Sequence, residues 1–134
     1  MSDRDELPDE LMVERTVDLD MDREQLWELV ATPDGWRDWL VDEARLVDGA
    51  GVVVDAGITR HVRLAEVVDG ESIAFTWWED GDPTSLSHVR LTVDDGRLHI
   101  VERSSNATRG AQAKLAWEVR VCSLWACCVA AALV

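Results

Sequence analysis

The sequence predicts an α+β fold, an antiparallel sheet covered by one long C-terminal helix, with two short helices after the first strand. Two observations lead there. Six short β-rich runs follow one another between residues 43 and 105, and the breaks between them mostly carry Gly or Asp-Gly, the turn chemistry of hairpins. Helical period appears only before and after that block.

The first strand reads "MVERTVDLD". Val13, Arg15, Val17 and Leu19 alternate with Glu14, Thr16 and Asp18, so one face is mostly apolar. The period changes at "DREQLWEL". Asp22 followed by Gln25 has capping-box spacing, and Leu26, Trp27, Leu29 and Val30 make a helical stripe. "TPDGW" stops that helix and starts another, with Thr32 as cap, Pro33 at the first helical position, and Trp36, Trp39 and Leu40 sharing a face. The runs "EARLVDG", "GVVVDAG", "TRHVRLAEVVDG", "ESIAFTWWEDGD", "LSHVRLTVDDG" and "RLHIVERSS" read as six further strands, and "VDDGRL" as the clearest hairpin turn. In the last segment Trp117, Val121, Leu124, Trp125, Cys128, Ala131 and Ala132 fall within about 60° of one direction at helical period, which predicts a long helix with its apolar stripe on the sheet. Residues 1 to 11 are polar, contain Pro8 and lack periodicity; they read as a mobile tail preceding a single domain over 12–134.

Composition narrows the function. With 27 acidic against 13 basic residues the formal charge is −14, which repels phosphate backbones and anionic membrane surfaces, so neither nucleic acid nor membrane is an expected partner. The opening residues lack the apolar core of a signal peptide. The most apolar stretch, "VCSLWACCVAAALV", is too short to span a bilayer. A soluble, cytoplasmic protein is the expectation. Cys122, Cys127 and Cys128 are an odd number in one segment, unlike a disulfide framework. On a helix they point to different sides, with Cys127 and Cys128 about 140° and 240° round from Cys122, so they do not chelate together. His61, His88 and His99 lie on three strands without metal-ligand spacing, and no metal or cofactor is expected. No nucleophile elbow, P-loop or dinucleotide fingerprint occurs.

The order of elements, together with "VERTVDLDMDREQLWELVATPDGWRDWL", "VDGESIAFTW", "SHVRLTV", "GRLHIVERS" and the Trp117 that begins the last helix, resembles the START-like helix-grip (SRPBCC) superfamily. Within it the likeness is to the AHSA-type branch, named for an activator of the heat-shock-protein ATPase. The resemblance implies a curved sheet wrapped around the long C-terminal helix, with a hydrophobic cavity between them for a small, mainly apolar or aromatic ligand, in a stress or regulatory setting. In that fold Trp27, Trp36 and Trp39 stand at the mouth or wall of the cavity. Trp77 and Glu102 approach from the sheet, and Trp117 and Val121 from the helix. Each of these tryptophans is also a good space-filler, and core packing is the competing reading. The resemblance implies two alternatives: a polyketide cyclase or aromatase with Glu102 as acid–base group assisted by Arg15 or His61, and co-chaperone-like binding of a protein.

Glu102 follows Leu98 and Ile100 in phase, so it faces inward, unless the strand end is already wet. Arg15 is its candidate partner. His61 reads as a cavity or a surface residue, and His88 as a surface one. On the back of the last helix Leu115, Val119, Cys122 and Leu133 are interrupted by Glu118, Arg120 and Ser123, an apolar face that predicts a homodimer.

Overall fold

A computed structural model describes residues 12–104 and 107–133; the expected tail at 1–11 lies outside them. The elements are β1 (Met12–Asp18), α1 (Arg23–Ala31), α2 (Pro33–Trp39), β2 (Glu43–Val47), β3 (Ala50–Asp55), β4 (Ile58–Val68), β5 (Ser72–Glu79), β6 (Asp82–Asp94), β7 (Arg97–Arg103) and α3 (Ala107–Leu133). This is the order predicted from the sequence. All strands join one antiparallel sheet in the order β1-β7-β6-β5-β4-β3-β2. The chain therefore leaves one edge at β1, crosses through α1 and α2, and re-enters at the opposite edge with β2. From there each strand pairs with the one before it until β7 meets β1. The architecture is the helix-grip fold, a curved sheet with the long α3 against its inner face.

Local chemistry sets these elements. Asp22 accepts from the Gln25 amide at 2.8 Å and Gln25 accepts from the Asp22 amide at 3.2 Å, a closed capping box. Thr32 Oγ1 accepts from the Gly35 amide at 2.9 Å and donates to the Glu28 carbonyl at 2.8 Å, so one hydroxyl ends α1 and starts α2. Two tight turns, Asp48–Gly49 and Ala56–Gly57, hold both central residues at positive φ, as two-residue hairpins on twisted strands require.

The tryptophans of the helical pair bind it together. Trp36 donates its indole N–H to the Val30 carbonyl at 2.7 Å, and Trp39 donates to Leu29 at 2.8 Å. Both satisfy carbonyls left open at the end of α1. Gly35 is required for this approach, since a Cβ there would stand 2.1 Å from the Glu28 oxygen. Trp36 then meets Phe75 of the sheet with ring centres 4.7 Å apart, and Trp39 meets Trp117 of α3 at 6.2 Å. The two short helices are thus fixed to both layers.

On α3 the buried arc is made by Trp117, Arg120, Val121, Leu124 and Cys128. This differs from the predicted stripe in two places. Trp125 is 46% exposed, and Arg120, expected on the back of the helix, is 4% exposed and faces the sheet. The reason is one of phase: Arg120 lies three residues from Trp117 and four from Leu124, so the arc is centred on their common side and turns Trp125 outward. Ala131, Ala132 and Leu133 belong to the predicted faces, but their side chains lie outside the described residues.

Candidate functional site

Where α3 crosses the ends of β4 to β7, a cleft of about 60 Å³ is lined by Arg60, Trp77, Glu79, Ser85, Ser87, Glu102 and Ser104 from the sheet side, and by Arg109, Gln112, Ala113, Ala116 and Arg120 from the helix. Most of these side chains are polar, whereas the sequence predicted an apolar wall. The difference comes from the tryptophans. Trp36, Trp39 and Trp117 are sealed in the core, filling the space that smaller residues would leave open. Trp77, equally buried, is the one of the predicted tryptophans that reaches the lining. Trp27 is partly buried against the core at α1, and Val121 is buried on α3; neither lines this cleft.

Glu102 stands at the floor. It is 4% exposed, so the inward phase of β7 carries through to the strand's end. Its Oε2 accepts from the Trp77 indole at 2.7 Å and from the Ser87 hydroxyl at 2.5 Å, and its Oε1 accepts from the Trp117 indole at 2.7 Å. Indole N–H groups donate only, so both oxygens are held as acceptors and the buried carboxyl is matched by three donors. Arg15 is not among them. It pairs with Glu118 of α3, because its strand partner is Ile100, two positions short of Glu102.

Two cations sit above this floor. The Arg120 guanidinium carbon lies 4.6 Å from the ring centre of Trp117 and 5.0 Å from that of Trp77, and Arg60 lies 5.1 Å from Trp77. These are cation–π distances. Both arginines bond the same acceptor, Asp55 Oδ2, at 3.3 Å for Arg60 and 2.6 Å for Arg120. The charged form of Arg60 is disfavoured, first by burial and then by Arg120. Arg120 Nε is buried with no hydrogen-bond partner among the described residues. At the other end of the cleft Arg109 bonds Glu79 at 2.5 Å and Asp82 at 2.6 Å.

Arg60, Ser87, Arg109 and Arg120 were not singled out from the sequence as site residues. Phase could have found three of them: Arg60 is in step with Val62, Ser87 with Val89 and Leu91, and Arg120 with Trp117 and Leu124. His61 lies outside the cleft. It bonds Asp80 at 2.8 Å and stacks on Trp78, and His88 is exposed. Among the described residues no three His, Cys, Asp or Glu side chains converge as metal ligands, and no helix is long and apolar enough to cross a membrane. A wider depression of about 520 Å³ lies where α1 and α2 approach Cys127. Its charged residues, Glu28, Asp34 and Asp38, are exposed, so no buried polar group marks it as a site.

No family model and no curated protein sequence matches the chain. Solved structures do share its fold. The AHSA1 protein from Silicibacter pomeroyi superposes with a TM-score of 0.72 at 18% identity, over 86% of this chain and 95% of that one. DynU16, of the dynemicin biosynthetic locus, gives 0.70 at 21% identity, and the match spans 85% of this chain and 45% of DynU16. The Aha1 dimer from Colwellia psychrerythraea gives 0.66 at 12% identity, over 87% and 95%. At these identities the likeness is one of fold, and it is the fold of AHSA-type proteins.

Proposed function

We propose that this domain binds a small molecule in the cleft between sheet and α3, with the guest's polar end at the Arg60, Arg120 and Glu102 floor and its apolar body passing Ala113 and Ala116 at the mouth. The observation that carries the reading is a cleft that leads to a buried guanidinium whose Nε, on Arg120, has no acceptor among the described residues. A buried unpaired donor costs about 1–3 kcal/mol, and a guest oxygen would recover it. The small volume of the cleft admits a head group, since pockets that engulf whole ligands are roughly 300 Å³ or larger. A neighbour of the same fold from a biosynthetic locus, DynU16, supports a small-molecule role.

The three donors that fix the Glu102 carboxylate tie it to β5, β6 and α3, which favours a positioning role in a binding site over acid–base catalysis. The test is a library of small molecules screened against the indole N–H signals of the labelled protein. Binders should move Trp77 and Trp117 together and leave the exposed Trp125 in place. A library that perturbs only exposed indoles would remove the reading.

A second proposal concerns self-association. Leu115 and Val119 are 73% and 68% exposed, and the exposed Cys122 shares their outer side of α3. Such a face favours a two-fold contact, and a neighbour of the same fold, the Aha1 protein of Colwellia psychrerythraea, is described as a dimer.

A further inference from the structure

Resting on the small-molecule reading, we propose that the guest of this cleft carries a carboxylate and that Arg60 and Arg120 receive it. Two guanidinium groups, one from β4 and one from α3, converge on a single oxygen of Asp55 and on the ring of Trp77. A guanidinium presents a fork of donors along two edges. Among the described residues one terminal nitrogen of each arginine is engaged, and Arg120 Nε has no acceptor. Arg109 shows the contrast within the same cleft, for Glu79 and Asp82 occupy both of its terminal nitrogens. One end of the cleft is therefore supplied with two acceptors for its arginine, whereas at the other end one guanidinium nitrogen lacks an acceptor among the described residues.

Burial, and then the neighbouring Arg120, disfavour the charged form of Arg60 even though Asp55, Glu79 and Glu102 favour it, so an anion brought directly onto the guanidinium edges would be stabilised. A planar group with two oxygens fits a guanidinium edge bidentately. Charge selects a monoanion over a phosphate dianion. Glu79 and Glu102 line the cleft and Asp55 stands behind the arginines, so a second negative charge would meet three carboxylates. Size agrees with a carboxylate head, and the open mouth at Gln112, Ala113 and Ala116 leaves the remainder of the molecule free to be apolar.

Hexanoate and hexanamide separate the two claims, because they share a tail and differ in charge. Each is titrated into labelled protein at constant ionic strength, and the indole N–H signals of Trp77 and Trp117 are followed. Hexanoate should bind roughly ten-fold more tightly than hexanamide, as a charge-assisted bidentate pair implies. In Arg60→Gln, whose melting temperature is checked first, hexanoate should lose most of its ten-fold advantage over hexanamide; Arg120→Gln provides a second variant. Equal affinities in the wild type would overturn the carboxylate and leave a cleft that binds neutral molecules. An undiminished advantage in Arg60→Gln would likewise overturn it. If neither compound moves either indole up to its solubility limit, both the carboxylate and the cleft reading fall.

Discussion

Trp117 of α3 donates its indole N–H to Glu102 of β7 at 2.7 Å, with both residues buried. This bond ties the long helix to the sheet at the floor of the cleft, and its partners, Trp77 and Ser87, extend the tie to β5 and β6. One carboxylate thereby joins four elements. A donor without that carboxylate would be left dry in the core.

Replacing Glu102 should therefore be costly. Glu102→Ala leaves two indole donors and a hydroxyl unmatched and should lose about 3 kcal/mol or more, at roughly 1–3 kcal/mol for each stranded group. Glu102→Gln keeps one acceptor oxygen but turns an amide nitrogen towards donors, and should lose about 1–3 kcal/mol. Urea unfolding midpoints measure both. An alanine variant as stable as the wild type would show that the network contributes nothing.

The cysteines should react in a fixed order. Cys122 is exposed, Cys127 is intermediate and Cys128 is buried, and Cys127 and Cys128 direct their thiols at the Asp38 and Asp20 carbonyls, each at 3.4 Å. Burial, and then the charge of Asp38, push the Cys127 thiol above its ordinary range, so its reactive thiolate is scarcer at neutral pH and recovers as pH rises. Timed alkylation followed by peptide mass spectrometry should find Cys122 modified first, Cys127 later with a steeper gain between pH 7 and pH 9, and Cys128 only on unfolding. Equal rates for Cys122 and Cys127 at neutral pH would contradict this environment.

The outer face of α3 makes a prediction about assembly. Leu115→Glu combined with Val119→Glu should convert a dimer to a monomer in sedimentation without lowering the melting temperature, because both side chains are exposed in the single chain. A formal charge of −14 opposes association, so the wild-type dimer should tighten as salt rises to about 0.15 M and beyond. A wild type that remains monomeric at high protein concentration, or dimers unaffected by the double change, would place no contact on this face.

The fold was legible because periodicity and punctuation agree along the whole chain. Asp22 with Gln25, Thr32 with Pro33, and the Gly-containing hairpin turns each mark a boundary that local chemistry enforces. Glu102 was legible too, since strand phase is strict. The rest of the site was harder to read for a physical reason. Arginine is read from sequence as a surface residue, yet Arg120 is buried by stacking its guanidinium on Trp117, one helical turn before it, and by reaching Trp77 and Asp55 across long sequence separations. Trp36 and Trp39 show the converse. Their spacing gave a shared face, but only the tertiary structure reveals that this face closes on α1, Phe75 and Trp117.

The most direct measurement is native mass spectrometry of the protein purified under non-denaturing conditions from the cells that produce it, comparing the wild type with Ala116→Phe, which places a ring in the mouth of the cleft. The account predicts a small additional mass on the wild type, released by mild activation, and its absence from a folded Ala116→Phe. A wild type that carries no guest when exposed to its own cell extract, or an equal mass on both proteins, would contradict it.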